Sequence, residues 1–175
     1  MFSDRMFQIT KDGKYMDVVE TALYNTLLSG IALDGKHFFY VNPLEVIPEI
    51  AEKNPTMRHV ETTRQLWFGV ACCPPNITRT LASLGNYIYA QDQNTMYLNL
   101  YINSEITGII NGTDVTLKVF ADYPSKGDVK LEVYPQRDGE TFTIAVRKPG
   151  YSKTCEVKVN GKVIPYEAIQ WWPII

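Results

Sequence analysis

The sequence has no apolar run approaching the roughly 18–20 residues that cross a bilayer. It has no block of like charge, no internal repeat and no low-complexity tract. Its formal net charge is -2, so it lacks the Lys/Arg excess that a phosphate-binding surface requires. Histidine is scarce, at 2 residues, which limits imidazole chemistry to His37 and His59. The first ten residues carry Asp4 and Arg5 where a secretion signal needs an apolar core. Cysteine occurs 3 times, an odd count that does not build a disulfide framework. What remains is the composition of a globular protein, 45% hydrophobic and 21% charged, with aromatic residues suited to strands, cores and sugar-facing clefts. The 175 residues suffice for one ordinary domain or two small ones.

The hydrophobic period divides the chain near residue 86. Before it, helices dominate. Phe2, Met6, Phe7 and Ile9 form one stripe, Lys11-Asp12-Gly13 breaks it, and Tyr15, Val18, Val19, Ala22, Leu23 and Leu27 recur at steps of three and four. Asp34-Gly35, between Ile31–Leu33 and His37–Val41, predicts a hairpin. Residues 44–66, broken by Pro48 and Pro55, read as a long loop with a short helix. Another helix is expected from Pro75, because proline suits the first helical position, with Gly85 ending it. After residue 86 the period becomes two. Met96/Leu98/Leu100/Ile102, Val115/Leu117/Val119 and Val129/Leu131/Val133 alternate with polar residues, and further strands are expected at 106–110, 141–147 and 155–159. Asn111-Gly112, Arg137-Asp138-Gly139 and Asn160-Gly161 mark turns. This pattern predicts an antiparallel β-sandwich. The apolar tail Trp171–Ile175 reads as a last docked strand or as an interrupted segment, and both ends of the chain look like interruptions, with Met1 expected to be internal to a longer protein.

Chemistry concentrates at Cys72-Cys73-Pro74-Pro75. Two thiols just before a helix start face unpaired N–H groups and the positive end of the helix dipole, which favours thiolate. A thiolate is a nucleophile and a soft zinc ligand. The residues alone leave open a buried structural pair, a metal or catalytic pair, and a vicinal disulfide, since zinc motifs usually space cysteines by two to four residues. Cys155 reads as a small buried hydrophobe. Tyr97 and Tyr101 read as sheet-face packing. Asn76-Ile77-Thr78 and Asn111-Gly112-Thr113 match the glycosylation pattern, but the first opens a helix and nothing in the sequence indicates secretion.

Trp67-Phe68-Gly69-Val70-Ala71-Cys72-Cys73-Pro74-Pro75-Asn76, followed by Leu81-Ala82-Ser83-Leu84-Gly85-Asn86-Tyr87-Ile88-Tyr89, resembles glycoside hydrolase family 127, the β-L-arabinofuranosidase family. Glu20-Thr21-Ala22-Leu23-Tyr24-Asn25, Phe38-Phe39-Tyr40-Val41-Asn42-Pro43-Leu44, Arg147-Lys148-Pro149-Gly150 and Val159-Asn160-Gly161 carry the same resemblance. It implies an α+β protein, the end of an (α/α)6 helical barrel in residues 1–85 followed by an antiparallel β-sandwich in residues 86–175, both incomplete. It implies a retaining exo-glycosidase that releases terminal β-L-arabinofuranose or a related furanoside. Cys72 matches its nucleophile, and Cys72 and Cys73 match two ligands of a zinc ion (Zn2+). The other two ligands, a glutamate and a third cysteine, and the acid/base glutamate are expected upstream of Met1, so the chain alone is expected to be inactive. Glu20 and Tyr40 are candidate sugar-binding residues. The alternatives are a solvated helix carboxylate for Glu20 and a half-buried strand aromatic for Tyr40.

The expected partners are an oligosaccharide or glycan substrate and, for the full-length protein, a second copy in a homodimer. Nucleic acid and membrane are not expected, and free thiols point to a cytoplasmic setting. The competing reading is a carbohydrate-binding or interaction module built on the sandwich, whose saccharide binding would survive loss of both cysteines. A redox or metal-relay role for the vicinal pair is the third.

Overall fold

The computed structural model describes residues 2–137, 139–164 and 171–174. It is a mixed α+β structure that divides into two compact units, Met1–Val19 with Gly85–Ile175, and Glu20–Leu84.

The first unit holds the sheets and most of the core. Helix α1 (Phe2–Thr10) ends where Lys11 takes a φ of 54°, and the Asp12 carboxylate then accepts the Lys14 N–H at 3.0 Å as α2 (Lys14–Thr21) begins. Of the expected stripe on α1, Phe7 is fully buried, while Phe2 and Ile9 face solvent. The strands are β1 (Tyr89–Gln91), β2 (Thr95–Leu98), β3 (Ser104–Ile110), β4 (Thr113–Ala121), β5 (Val129–Pro135), β6 (Thr143–Arg147), β7 (Val157–Val159), β8 (Lys162–Ile164) and β9 (Trp171–Ile174). They form a sheet of order β1-β2-β6-β9, a sheet of order β3-β4-β5 and a β7-β8 hairpin. The period-two reading is clearest in β4, where Thr113, Val115, Leu117 and Val119 are buried and the residues between them are not. Burying each large apolar side chain of this kind stabilises by about 1.5–3 kcal/mol. Met96, Leu98, Leu100, Ile110 and Ile144 complete the core.

Not every pairing is antiparallel. β2 runs parallel to β6, with Met96 opposite Ile144 and Leu98 opposite Val146. Alternation reports which face is buried, not which strand lies alongside. The turns fall where Asn-Gly dipeptides place them. Asn111/Gly112 and Asn160/Gly161 take φ of 49°/77° and 49°/80°, the paired positive angles that twist-matched two-residue turns need. The Arg137-Asp138-Gly139 turn falls partly outside the described residues, as does the stretch 165–170.

The second unit has little regular structure. Its helix continues from Glu20 through a π-helical stretch, Ala22–Leu27, and a 3₁₀ turn, Leu28–Gly30. The expected hairpin at 31–41 is a turn rather than a ladder. Ile31 bridges Phe38, Phe38 bridges Gln65, and Gly35 takes a φ of 69°. Short helices follow, α3 (Pro48–Ala51), a 3₁₀ turn (Pro55–Met57) and α4 (Pro75–Ala82). Gly85 does not end α4. The helix closes at Ser83, and Gly85 opens α5 (Gly85–Ile88) in the first unit. Large apolar residues of this second unit stand open to solvent, Leu33 and Leu44 fully, Leu66 and Trp67 by about two thirds (63% and 66%).

Candidate active site

Cys72 and Cys73 sit on the approach to α4. Pro75 starts that helix, as its fixed φ favours. The Cys73 carbonyl accepts the Asn76 N–H and the Asn76 Nδ2–H, each at 3.0 Å, which ties the cysteine segment to the first helical turn. Gly30 packs near this helix, where a Cβ would stand 3.5 Å from Ile77 Cδ1. Both thiols are free and exposed, with Sγ atoms 3.5 Å apart. The structure therefore holds neither the buried pair nor the vicinal disulfide that the sequence left open.

Tyr40 comes to this pair from 32 residues away. Its hydroxyl lies 2.5 Å from Cys72 Sγ. The ring is buried and belongs to no strand, so the half-buried strand alternative does not hold. Three anchors set its segment. Phe38 exchanges both backbone hydrogen bonds with Gln65 at 2.9 Å, the Phe39 N–H donates to the Gly30 carbonyl at 2.9 Å, and Asn42 Nδ2 donates to Ser29 Oγ at 2.7 Å. Arg64 adds a further tie, lying over the Phe39 ring while its Nη2 donates to the Ser29 carbonyl at 2.5 Å. The Tyr40 ring stacks on His59, with centroids 4.4 Å apart and planes at 22°, and meets Phe68 edge-on at 5.4 Å.

The electrostatics follow from that contact. Tyr40's hydroxyl, first, and the neighbouring Cys73, second, pull the Cys72 thiol below the ordinary thiol range. In return Cys72, with burial behind it, pushes the Tyr40 phenol up to about 12. The sulfur is therefore the first of the two to give up its proton, and once it has done so Tyr40 is the donor to it. The sequence located the stabilising influence at the helix start. In the structure the hydroxyl of Tyr40 is the larger cause, a partner too distant in sequence for any local pattern to reveal.

Glu20 is buried, at 4% exposure, on the last turn of α2, which rules out a solvated carboxylate. His37 is held by the Asp34 carboxylate in the turn at Gly35, away from any metal-like cluster. Cys155 corrects the expectation of a small buried residue. It is exposed and lies two residues before β7 begins, where no strand alternation turns it inward. Tyr97 and Tyr101 are packing residues. Tyr97 meets Phe7 edge-on at 6.0 Å, and Tyr101 is buried and donates its hydroxyl to the Arg147 carbonyl.

Among the described residues no helix is long and apolar enough to cross a membrane, and no group of three or more His, Cys, Asp or Glu gathers for a metal. The family model described as the β-L-arabinofuranosidase GH127 catalytic domain matches residues 1–86, and the GH127 middle-domain model matches residues 95–171. The non-reducing end β-L-arabinofuranosidase of Bifidobacterium longum subsp. longum is 35% identical over 166 residues, covering 93% of this chain and 25% of that protein. A GH127 β-L-arabinofuranosidase from Geobacillus stearothermophilus T6 has a solved structure that superposes with a TM-score of 0.85 at 44% identity, over 98% of this chain and 27% of the other. A second solved GH127 β-arabinofuranosidase gives a TM-score of 0.79 at 30% identity, over 98% of this chain and 28% of the other. The chain thus spans about a quarter of the length of these relatives.

Proposed function

The chain belongs to the GH127 β-L-arabinofuranosidase family of glycoside hydrolases, and on that footing we propose that it carries the nucleophile of a retaining exo-glycosidase acting on terminal β-L-arabinofuranosides. The observation that carries this reading is the exposed Cys72 sulfur, contacted by the Tyr40 hydroxyl at 2.5 Å and flanked by Cys73 at 3.5 Å. A thiol is a competent nucleophile only once deprotonated, and this arrangement favours the thiolate.

In the proposed reaction the Cys72 sulfur attacks the anomeric carbon. A C–S bond forms as the glycosidic C–O bond breaks, and the leaving oxygen takes a proton from a carboxylic acid outside these residues. Water then attacks the same carbon, its proton passes to that carboxylate, and the sulfur departs as thiolate. Double displacement of this kind retains the anomeric configuration. Tyr40 holds the sulfur in line and deprotonated between turnovers. Glu20, buried on α2, is proposed to bind a sugar hydroxyl.

Zinc is compatible with the donor set. Two sulfurs on one tetrahedral zinc, with bonds of about 2.3 Å, stand about 3.8 Å apart, and Cys72 and Cys73 stand at 3.5 Å. A bound zinc ion would keep both sulfurs deprotonated at neutral pH. Cys72 and Cys73 would supply two of its ligands, the others coming from outside this chain. The (α/α)6 barrel in residues 1–85 and the sandwich in residues 86–175 belong to the same proposal. The solvent-open Leu33, Leu44, Leu66 and Trp67 of the second unit support a helical layer that packs on more chain than these residues provide. By itself the 175-residue chain is expected to be inactive.

The test is Cys72→Ser in the full-length enzyme, assayed with an aryl β-L-arabinofuranoside. A serine hydroxyl stays protonated at neutral pH, so kcat should fall by about four orders of magnitude or more while substrate binding persists. Turnover within about tenfold of the parent would sink the assignment.

A further inference from the structure

Cys72 and Tyr40 leave one aromatic neighbour without a role. His59 lies face to face with the Tyr40 ring at 4.4 Å and 22°, and Phe68 closes the ring's other contact edge-on at 5.4 Å. Phe68 is itself backed by Phe38 at 5.6 Å, and both Phe68 and Tyr40 are buried. His59, like Phe38, is partly exposed, and it comes from the loop after the 3₁₀ turn at Pro55–Met57 rather than from the segments bridged at Phe38 and Gln65 that lead to Tyr40 and Phe68. A phenol ring can swing about its χ1 and χ2 angles, and the 2.5 Å approach of its oxygen to sulfur survives only if both are held. Phe68 meets the ring in a tilted, T-shaped contact at 63°, and His59 is the partner that lies nearly parallel to the ring plane, so its stack opposes rotation of that plane.

We propose that His59 is a positioning residue for the glycosidase reaction, its flat face clamping the Tyr40 ring so that the hydroxyl stays on Cys72 Sγ. The inference rests on the assignment of Cys72 as nucleophile. What matters is the flat aromatic face, because the stack is face to face and offers Tyr40 no ring nitrogen. Aromatic contacts of this geometry are directional, and a misplacement of about 1 Å at a reacting group can cost about a hundredfold in rate.

The test is a double-mutant cycle in the full-length enzyme, with kcat and KM measured separately on an aryl β-L-arabinofuranoside. His59→Ala should lower kcat about tenfold or more and change KM less than about threefold. His59→Phe, which keeps the flat face, should stay within about threefold of the parent. In a Tyr40→Phe background, where no hydroxyl remains to be aimed, His59→Ala should add less than about twofold. If His59→Ala does not fold, His59→Leu fills the volume without a flat face and should show the same loss. Parent-like kcat in His59→Ala, an equal loss in both backgrounds, or failure of His59→Phe to restore the rate would each overturn the clamp. Full turnover by Cys72→Ser would remove the nucleophile assignment and the clamp with it. An inactive Cys72→Ser beside a fully active His59→Ala overturns the clamp alone.

Discussion

Among the described residues Arg147 is the largest fully buried side chain, and its guanidinium is paired with Asp17, 130 residues earlier in the sequence. Its Nε donates to the Asn99 carbonyl at 2.6 Å, its Nη1 to Asp17 Oδ1, and the Gly150 N–H donates to the same Asp17 oxygen at 3.1 Å. Removing one partner of a buried ion pair costs about 3–5 kcal/mol, because the other charge stays desolvated. The Asp17 side chain is 25% exposed and asparagine keeps one acceptor oxygen, so for Asp17→Asn we take a lower figure of about 2–3 kcal/mol. With a urea slope of about 1–3 kcal/mol per M, the unfolding midpoint should drop by about 0.7–3 M. Gly150→Ala attacks the same clasp from the backbone, since an added Cβ would stand 2.5 Å from Asp17 Oδ2. The other oxygen of that carboxylate is held by Arg147 and by the Gly150 N–H, so making room for the Cβ strains the clasp, and overpacking should cost about 1–3 kcal/mol. The assay is urea unfolding followed by far-UV circular dichroism, at low salt and in about 1 M salt, where the Debye length is about 3 Å. A buried pair should lose the same stability in both. A loss for Asp17→Asn below about 0.5 kcal/mol, or one that vanishes in salt, is the signature of an exposed pair and would refute the reasoning.

Other outcomes follow from single contacts. The Asp34 carboxyl accepts the Lys36 and His37 N–H groups and the His37 ring, and these hold it down at about 2. Its folded value lies below the unfolded value of about 3.9, so its contribution to the turn is present above about pH 4 and is lost as pH falls through about 2. A side-chain carbon titration by NMR should show that low midpoint, and one near 4 would contradict it. Tyr97 is pushed up to about 12 by burial and by the Asp92 carboxylate that accepts its hydroxyl at 2.8 Å, so Asp92→Asn should lower its ultraviolet titration midpoint, and an unchanged midpoint would leave burial as the sole cause. At Gly112, with φ of 77° and open space where a Cβ would go, alanine should cost about 1 kcal/mol from backbone strain alone, as read from urea unfolding. A neutral result would mean the β3–β4 turn relaxes.

Local chemistry was readable wherever its cause is local. The period of two in β4 and the Asn-Gly turns at 111 and 160 come from neighbours in sequence, and the structure has them where the pattern puts them. The start of α4 at Pro75 is of the same kind. Short strands without alternation were missed, β1 and β8 among them. Gly85 fitted a helix stop by type, yet it opens α5, because a glycine without a positive φ carries no fixed meaning. The parallel pairing of β2 with β6 is set by strands 45 or more residues apart, and no local period encodes it. The site divides along the same line. The cysteine pair announced itself by adjacency, whereas the Tyr40–Cys72 contact and the His59 stack exist only once the turn at 31–41 and the loop at 59 are folded together.

The measurement that bears most directly on the central claim is peptide mapping of the full-length enzyme, acid-quenched during turnover of an activated β-L-arabinofuranoside. A pentosyl adduct on the peptide containing Cys72, lost when Cys72 is serine, is the predicted result. A turning-over enzyme with no adduct on Cys72, or with the adduct on a carboxylate, would contradict the assignment of the sulfur as nucleophile.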